Sequence, residues 1–375
     1  MPLLKKCVLF FGTLMTFHAV GATTPDATSQ TDANNSDYWQ PEQVNDPVTV
    51  SAFQNTVSGE AAPSDLTLDA PVKIALIYPS ADVSDFWIRN FKAMTGRLKD
   101  LNIPFEVEEF SSKQIEHSLQ TRYTDEVLER ADQFDFVVFG PSELQVQAEN
   151  IQRLSASDQF ETYIWAFHTP MKSWAHRPDA WFDFSSSVGA KALCEFMTKR
   201  LGEDVFFAMN RGIPGITDDQ RSGEFNQCVQ ENAYWINLYE HFGQYQPRGG
   251  RDGVELILKN FPEVQVLHNA NTAMTIGAIE YLEETGQTDK LYVTGWGGTA
   301  IETQKIKEGS LNATPMRMSD DVGVATAEAI KYTLLKREAE IPQVYLGRIR
   351  VIDDQLSDDQ IDALTREAFR YSGIE

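Results

Sequence analysis

From Val72 onward the chain alternates short apolar runs with amphipathic stretches long enough to be helices. The runs fall at 72–78, 105–110, 135–139, 162–167, 205–209, 234–238, 264–268 and 291–294, each bounded by turn residues. Successive runs begin mostly about 30 residues apart, the length of one βαβ unit. That rhythm predicts a parallel sheet flanked by helices. Because the runs form two successive groups, an α/β fold of two doubly wound parallel-sheet domains fits better than one large sheet or a closed barrel. Ligands of such sheets bind beyond the C-terminal ends of the strands. The loops at 79–87, 140–144, 166–170, 210–221, 268–274 and 295–299 are therefore where function is expected.

The N-terminal region breaks this pattern. Lys5 and Lys6 precede an apolar run over 7–17 and the small-residue stretch Ala19-Val20-Gly21-Ala22, the order of a secretory signal peptide covering 1–22. The run is too short for the ~20 residues that a bilayer span requires, and no later run reaches that length. Residues 23–70 carry eight acidic side chains and no Lys or Arg, which reads as an acidic leader without a core of its own. Tyr38-Trp39 is its one bulky apolar element, suited to pinning the leader to the body. Cleavage after Ala22 would leave 353 residues, beyond the ~250 to 300 at which a single core stops growing.

Charge narrows the partners. The chain carries a net -23, so a uniform phosphate-binding surface is excluded and no nucleic-acid partner is expected. Export would remove Cys7 and leave Cys194 and Cys228 in an oxidising compartment. A disulfide between them is expected, the alternative being two small buried hydrophobes.

Catalytic signatures are absent: GxxxxGK[ST], HExxH and GxSxG do not occur, and no cysteines stand at metal-ligand spacing. The histidines are scattered singly, each expected as a hydrogen-bonded or surface residue. No cofactor, metal or enzymatic activity is expected, although a fold class by itself never excludes chemistry.

Two loops suggest a ligand instead. The first βα loop ends in Asp82-Val83-Ser84-Asp85-Phe86-Trp87, with Ser84 as a helix cap, Phe86 turned inward and Trp87 turned to the cleft. The alternative is that both aromatics fill the core beneath the loop. Thr294-Gly295-Trp296-Gly297-Gly298 follows a strand; its glycines allow close backbone approach and Trp296 offers a stacking face. Arg221 and Arg317 stand at strand-to-helix loops. Each could be a surface salt bridge, but two facing a cleft would favour an anionic or hydrogen-bond-accepting ligand.

These residues, with Met316-Arg317-Met318, Asp320-Asp321 and Ala368-Phe369-Arg370-Tyr371-Ser372, resemble the LuxP-like autoinducer-2 receptors within the type 1, ribose-binding-like family of periplasmic binding proteins. The resemblance covers nearly the whole exported chain. It implies a periplasmic receptor whose cleft is lined by Ser84, Trp87, Arg221, Thr272, Trp296 and Arg317, taking a furanosyl borate diester or related furanose and signalling to a LuxQ-like membrane sensor kinase. The other reading is the sugar-binding component of an ABC importer. It also implies three crossings, near Asp183, Ser319 and Leu346, between a first domain of 71–182 plus 319–345 and a second of 183–318 plus 346–375. The family's glutamine, asparagine and aspartate are replaced here by Asp82, Ala166 and Ala273, which puts a different hydroxyl pattern in prospect. A carboxylate at Asp82 would accept hydrogen bonds from hydroxyls and oppose an anion.

Overall fold

A computed structural model describes residues 37–79, 85–112, 116–166 and 170–373. The expected signal over 1–22, the first part of the leader, Asp82 and Ser84 lie outside the described residues, as does the Ala166 side chain. Twelve strands are described, in two sheets of six. They are β1 (Val72–Pro79), β2 (Phe105–Ser112), β3 (Phe136–Phe139), β4 (Glu161–Ala166), β5 (Ala180–Asp183), β6 (Phe206–Arg211), β7 (Ile236–Phe242), β8 (Val266–Asn269), β9 (Tyr292–Thr294), β10 (Ala313–Arg317), β11 (Val344–Leu346) and β12 (Ile349–Asp353). The first sheet has the order β11-β5-β4-β3-β1-β2 and the second β12-β10-β9-β8-β6-β7.

All pairings are parallel except β10 with β12. Each sheet is thus doubly wound, as the βαβ rhythm requires. The first six-stranded sheet takes β1 to β5 and β11; the second takes β6 to β10 and β12. The chain therefore passes between lobes after β5, after β10, and between β11 and β12. β3 is apolar along its length, as are β1 after Lys73 and β4 after Thr162, because helices cover both faces of the sheet. One face packs Ile74, Leu76, Phe136, Val138 and Tyr163, and the other packs Ala75, Ile77, Val137, Phe139 and Ile164.

The helix Asp321–Leu334 returns to the first lobe and lies against the helix Asp85–Asp100. The approach is close because Gly323 has no side chain: a Cβ there would stand 2.3 Å from the Asn90 carbonyl oxygen. Asn90 Oδ1 also accepts from the Gly323 N–H at 2.8 Å. After the last helix, Asp358–Ala368, the chain returns to the first lobe. There the Tyr371 and Ser372 N–H groups donate to Asp320 Oδ2 at 2.6 and 2.9 Å, and the Tyr371 hydroxyl donates to Asp100 at 2.9 Å.

The leader has more structure than its composition suggests. Pro41–Val44 and Pro47–Ser58 are helical, each started by a proline, and Asp46 caps the second by accepting from Thr49 N–H at 3.0 Å. Phe53 and Val57, one helical turn apart, are buried on the first lobe, with Phe53 edge-on to Tyr332 and Tyr345. The Asn45 amide donates to Val344 O at 2.6 Å and accepts from Val344 N–H at 3.2 Å, standing in for a neighbouring strand on the exposed side of edge strand β11. Tyr38 is buried and bridges Met171, while Lys172 and Arg177 lie over the Trp39 ring.

Cys194 and Cys228 are joined in a disulfide, with Cα atoms 6.2 Å apart, linking the helices Ser186–Leu201 and Glu224–Ala233. Closing a loop with a sequence separation of 34 restricts the unfolded chain, and loop-closure entropy puts the effect at about 3 to 4 kcal/mol. Cys194→Ser/Cys228→Ser should lower the urea midpoint accordingly. Two thiols titrating in denatured, never-reduced protein would show that the bond does not form.

Candidate functional site

The cleft lies where the C-terminal strand ends of the two sheets face each other. On the second lobe it is built around the turn after β9. Gly297 and Gly298 have φ of 123° and 64°, so the turn needs residues without a Cβ. A Cβ on Gly298 would also stand 2.1 Å from Met316 Cβ. Glu302 holds this turn from below. Its carboxylate accepts from the N–H groups of Trp296, Gly298 and Thr299 at 3.0, 2.7 and 3.3 Å, and from the Thr314 hydroxyl at 3.2 Å. Burial raises the Glu302 pKa above the usual carboxylate range, against the pull of those donors.

Trp296, so positioned, is 4% exposed and gives its ring to Arg221, whose guanidinium carbon is 5.6 Å from the centroid. Arg221 lies on a π-helical turn, Asp219–Gly223, between the short helix Ile216–Asp218 and the helix Glu224–Ala233. Such turns re-aim a side chain by one position and are frequent at functional sites. Arg221 Nε donates to Ser186 Oγ and Nη1 to Ala270 O, both at 3.3 Å. Among the described residues it makes no ion pair, so the surface salt-bridge reading does not hold for it. His268 supports the same turn: its ring stacks on Phe225, Nε2 lies 3.2 Å from Arg221 O and Nδ1 lies 2.9 Å from Thr294 Oγ1. Burial lowers its pKa to about 4, so the ring is neutral; Nε2–H donates to the carbonyl and Nδ1 accepts from the hydroxyl.

Thr272 and Arg317 complete the second-lobe wall. Thr272 Oγ1 donates to Trp296 O at 3.3 Å. Both Thr272 Oγ1 and Arg317 Nη2 lie 3.5 Å from where a Gly297 Cβ would be. Arg317, at the end of β10, also stands over the Phe184 ring, 6.0 Å from its centroid. Burial, then the charge of Arg317, lowers the Arg221 pKa to about 10, leaving it charged at neutral pH. The site thus carries two cations beside aromatic faces, an arrangement that favours electron-rich ligand oxygens.

The first-lobe wall is aromatic. Trp87 is buried edge-on to Phe86 and lies over Gly140 at the end of β3, where a Cβ would approach its ring to 2.4 Å. Phe86 and Trp87 both belong to the buried first-lobe core, so Phe86 is inward as expected and Trp87 is not turned to the cleft; Phe86 also lines a cavity of about 240 Å³ together with Arg89, Phe184, Gly297 and Arg317.

The structure thus brings Arg221, Thr272, Trp296 and Arg317 together, while Trp87 stands on the facing lobe. Phe184, Ser186 and Glu302 were not anticipated. Glu302 was legible as the fourth residue of the capping box Thr299-x-x-Glu302. Phe184 and Ser186 follow a strand too short to stand out.

Comparison with known proteins places this geometry. Residues 74–338 match the periplasmic binding protein domain family. The ribose import binding protein RbsB of Salmonella typhimurium is 27% identical over 142 residues, covering 38% of this chain and 47% of that protein. RbsB of Bacillus subtilis is 22% identical over 141 residues, covering 38% and 45%. The chain therefore aligns with about half the length of these curated relatives. Among solved structures, a periplasmic ribose ABC transporter protein from Conexibacter woesei superposes with a TM-score of 0.67 at 13% identity, over 79% of this chain and 95% of that one. A galactofuranose binding protein superposes with a TM-score of 0.62 at 13% identity, over 80% and 100%. With a family match over most of its length and the two-lobed fold to accompany it, this chain belongs to the periplasmic binding protein domain family.

Proposed function

We propose that this chain binds a small sugar in the cleft between its lobes and hands it to an ABC importer, without catalysing a reaction. The observation that carries this reading is the convergence on Gly297 of Arg317 and Thr272, beside Arg221 on Trp296 and across from Phe86. Aromatic faces cover the apolar side of a sugar ring, and guanidinium groups donate to its oxygens. The ribose-import relatives support import over the sensor-kinase signalling that the resemblance to autoinducer-2 receptors led one to expect. Closure of the lobes about the three crossings would be a population shift, driven by contacts that the ligand makes only in the closed form.

A second reading, a furanosyl borate diester or related furanose signalled to a membrane kinase, is favoured by one feature: two arginines in one cleft with no ion pair for Arg221. Titration with D-ribose, and with autoinducer-2 in the presence and absence of borate, separates the two. Mass spectrometry of ligand released from freshly purified protein identifies the natural occupant. On either reading Arg221→Ala and Arg317→Ala should each weaken binding by about 1.5 to 3 kcal/mol, the range for hydrogen bonds to charged groups. Folding stability should change less, because among the described residues Arg221 forms no ion pair and its hydrogen bonds go to the Ser186 hydroxyl and the Ala270 carbonyl. Unchanged affinity in both variants, measured by calorimetry, would remove the arginines from the site.

A further inference from the structure

Asp183 ends β5 at the first crossing between lobes and is 2% exposed. Its Oδ1 accepts from the Phe184 N–H at 2.6 Å, and among the described residues its Oδ2 takes no hydrogen bond. The residue lines a cavity of about 510 Å³ that both lobes share, together with Gln40, Ser185, Gln220, Glu224 and Leu346. Phe184, the next residue, faces the smaller cavity beside Arg317. Asp183 thus stands at the crossing on the wall of the larger cavity, one residue before the wall of the smaller.

A carboxylate withdrawn from bulk water is costly unless donors arrive or a proton neutralises it. The charged groups around it are few. Arg221 on the π-helical turn and Arg317 on β10 act on it through their charge. Lys191, Glu224 and Glu231 line the same cavity from the two disulfide-linked helices. Lys191 is held 3.9 Å from Glu195 and Glu224 accepts from Ser187 at 2.8 Å.

We propose that Asp183 is a further ligand-recognising residue, whose Oδ2 accepts a hydrogen bond from a sugar hydroxyl as the lobes close. This rests on the sugar reading above. It has a signature that a purely structural carboxylate lacks. Burial raises the Asp183 pKa to about 8 despite Phe184 N–H, Arg317 and Arg221, so near neutrality the empty site holds a proton there. A hydroxyl donor favours the charged form, so binding expels that proton below about pH 8. Affinity should then climb with pH, by at most about tenfold per unit, and level off above pH 8.

The test is calorimetric titration of the full exported protein with D-ribose, D-allose and D-galactose from pH 6 to 9, each in two buffers of different ionisation enthalpy. For a sugar that binds, the wild type should release a proton and tighten with pH. Asp183→Asn keeps an acceptor for Phe184 N–H but not a titrating group; it should lose the pH slope and weaken binding at pH 8 by at least about tenfold. A sugar bound without proton release by the wild type, or with the same pH slope by Asp183→Asn, overturns the assignment of Asp183 alone. Failure of every sugar to bind the wild type overturns the sugar reading and this assignment with it.

Discussion

Replacing Glu302 by Ala should destabilise the protein by about 3 to 6 kcal/mol and abolish measurable ligand binding. Three backbone N–H groups, of Trp296, Gly298 and Thr299, donate to this one carboxylate, and Thr314 adds a fourth donor. Glu302 is fully buried, so water cannot take its place. Each stranded buried donor costs about 1 to 3 kcal/mol, and the turn has no second way to satisfy them in its present conformation. The turn would relax, Trp296 would leave the face it offers to Arg221, and the second-lobe wall would lose its shape. Glu302→Gln keeps one acceptor oxygen and should fall between the wild type and Ala. Urea denaturation reads the stability and calorimetry reads the binding. Full affinity in a folded Glu302→Ala protein would show that the turn is held by packing alone.

The second large effect is expected at Arg97, where Arg97→Met should cost about 3 to 5 kcal/mol, the range for breaking a buried ion pair from one side. Arg97 and Glu328 are 1% and 0% exposed, and the guanidinium lies 2.6 Å from the carboxylate, which also pairs with Lys331. The remaining donors of Arg97 go to the carbonyls of Thr56, Gly59 and Glu60 at 3.0 to 3.2 Å, and to the Tyr371 hydroxyl at 3.3 Å. One side chain therefore ties the leader helix, the first lobe and the C-terminal tail. Its loss should raise amide exchange first over the helix Pro47–Ser58, whose last carbonyls it satisfies. A change in stability below about 1 kcal/mol, with an unaltered exchange pattern, would mean that Arg370, which donates to Val57 and Ser58 carbonyls, suffices to hold that helix.

The amino-acid sequence by itself determined the architecture. Apolar runs at βαβ spacing can bury themselves only between two layers of helices, and their number and grouping require two such sheets; the structure has both. β1 to β4 and β6 to β9 were legible because each carries a short apolar run bounded by turn residues, with polar positions interspersed in β2 and β7. β5, β10, β11 and β12 were not, since three to five residues at a lobe crossing show no period of their own. They become strands because a sheet edge is already there to pair with. The leader was legible as acidic and coreless, but its helix is stabilised by Phe53 and Val57 on a surface that exists only once the first lobe has folded.

The same division holds for the cleft. Trp296 and its glycines could be read as a site because a strand followed by a glycine-rich turn has few other uses, and Arg221 and Arg317 because two cations stand at strand-to-helix loops. That Phe86 rather than its neighbour lines the smaller cavity, that Arg221 is turned inward by a π-helical step, and that Asp183 is buried at the crossing beside the larger cavity are tertiary facts. Each depends on how far a helix is rotated or on which lobe lies opposite, and neither quantity is encoded in local spacing. Local pattern specifies which surfaces must be buried; only the packing of the two lobes decides which polar atoms are left facing the cavity between them.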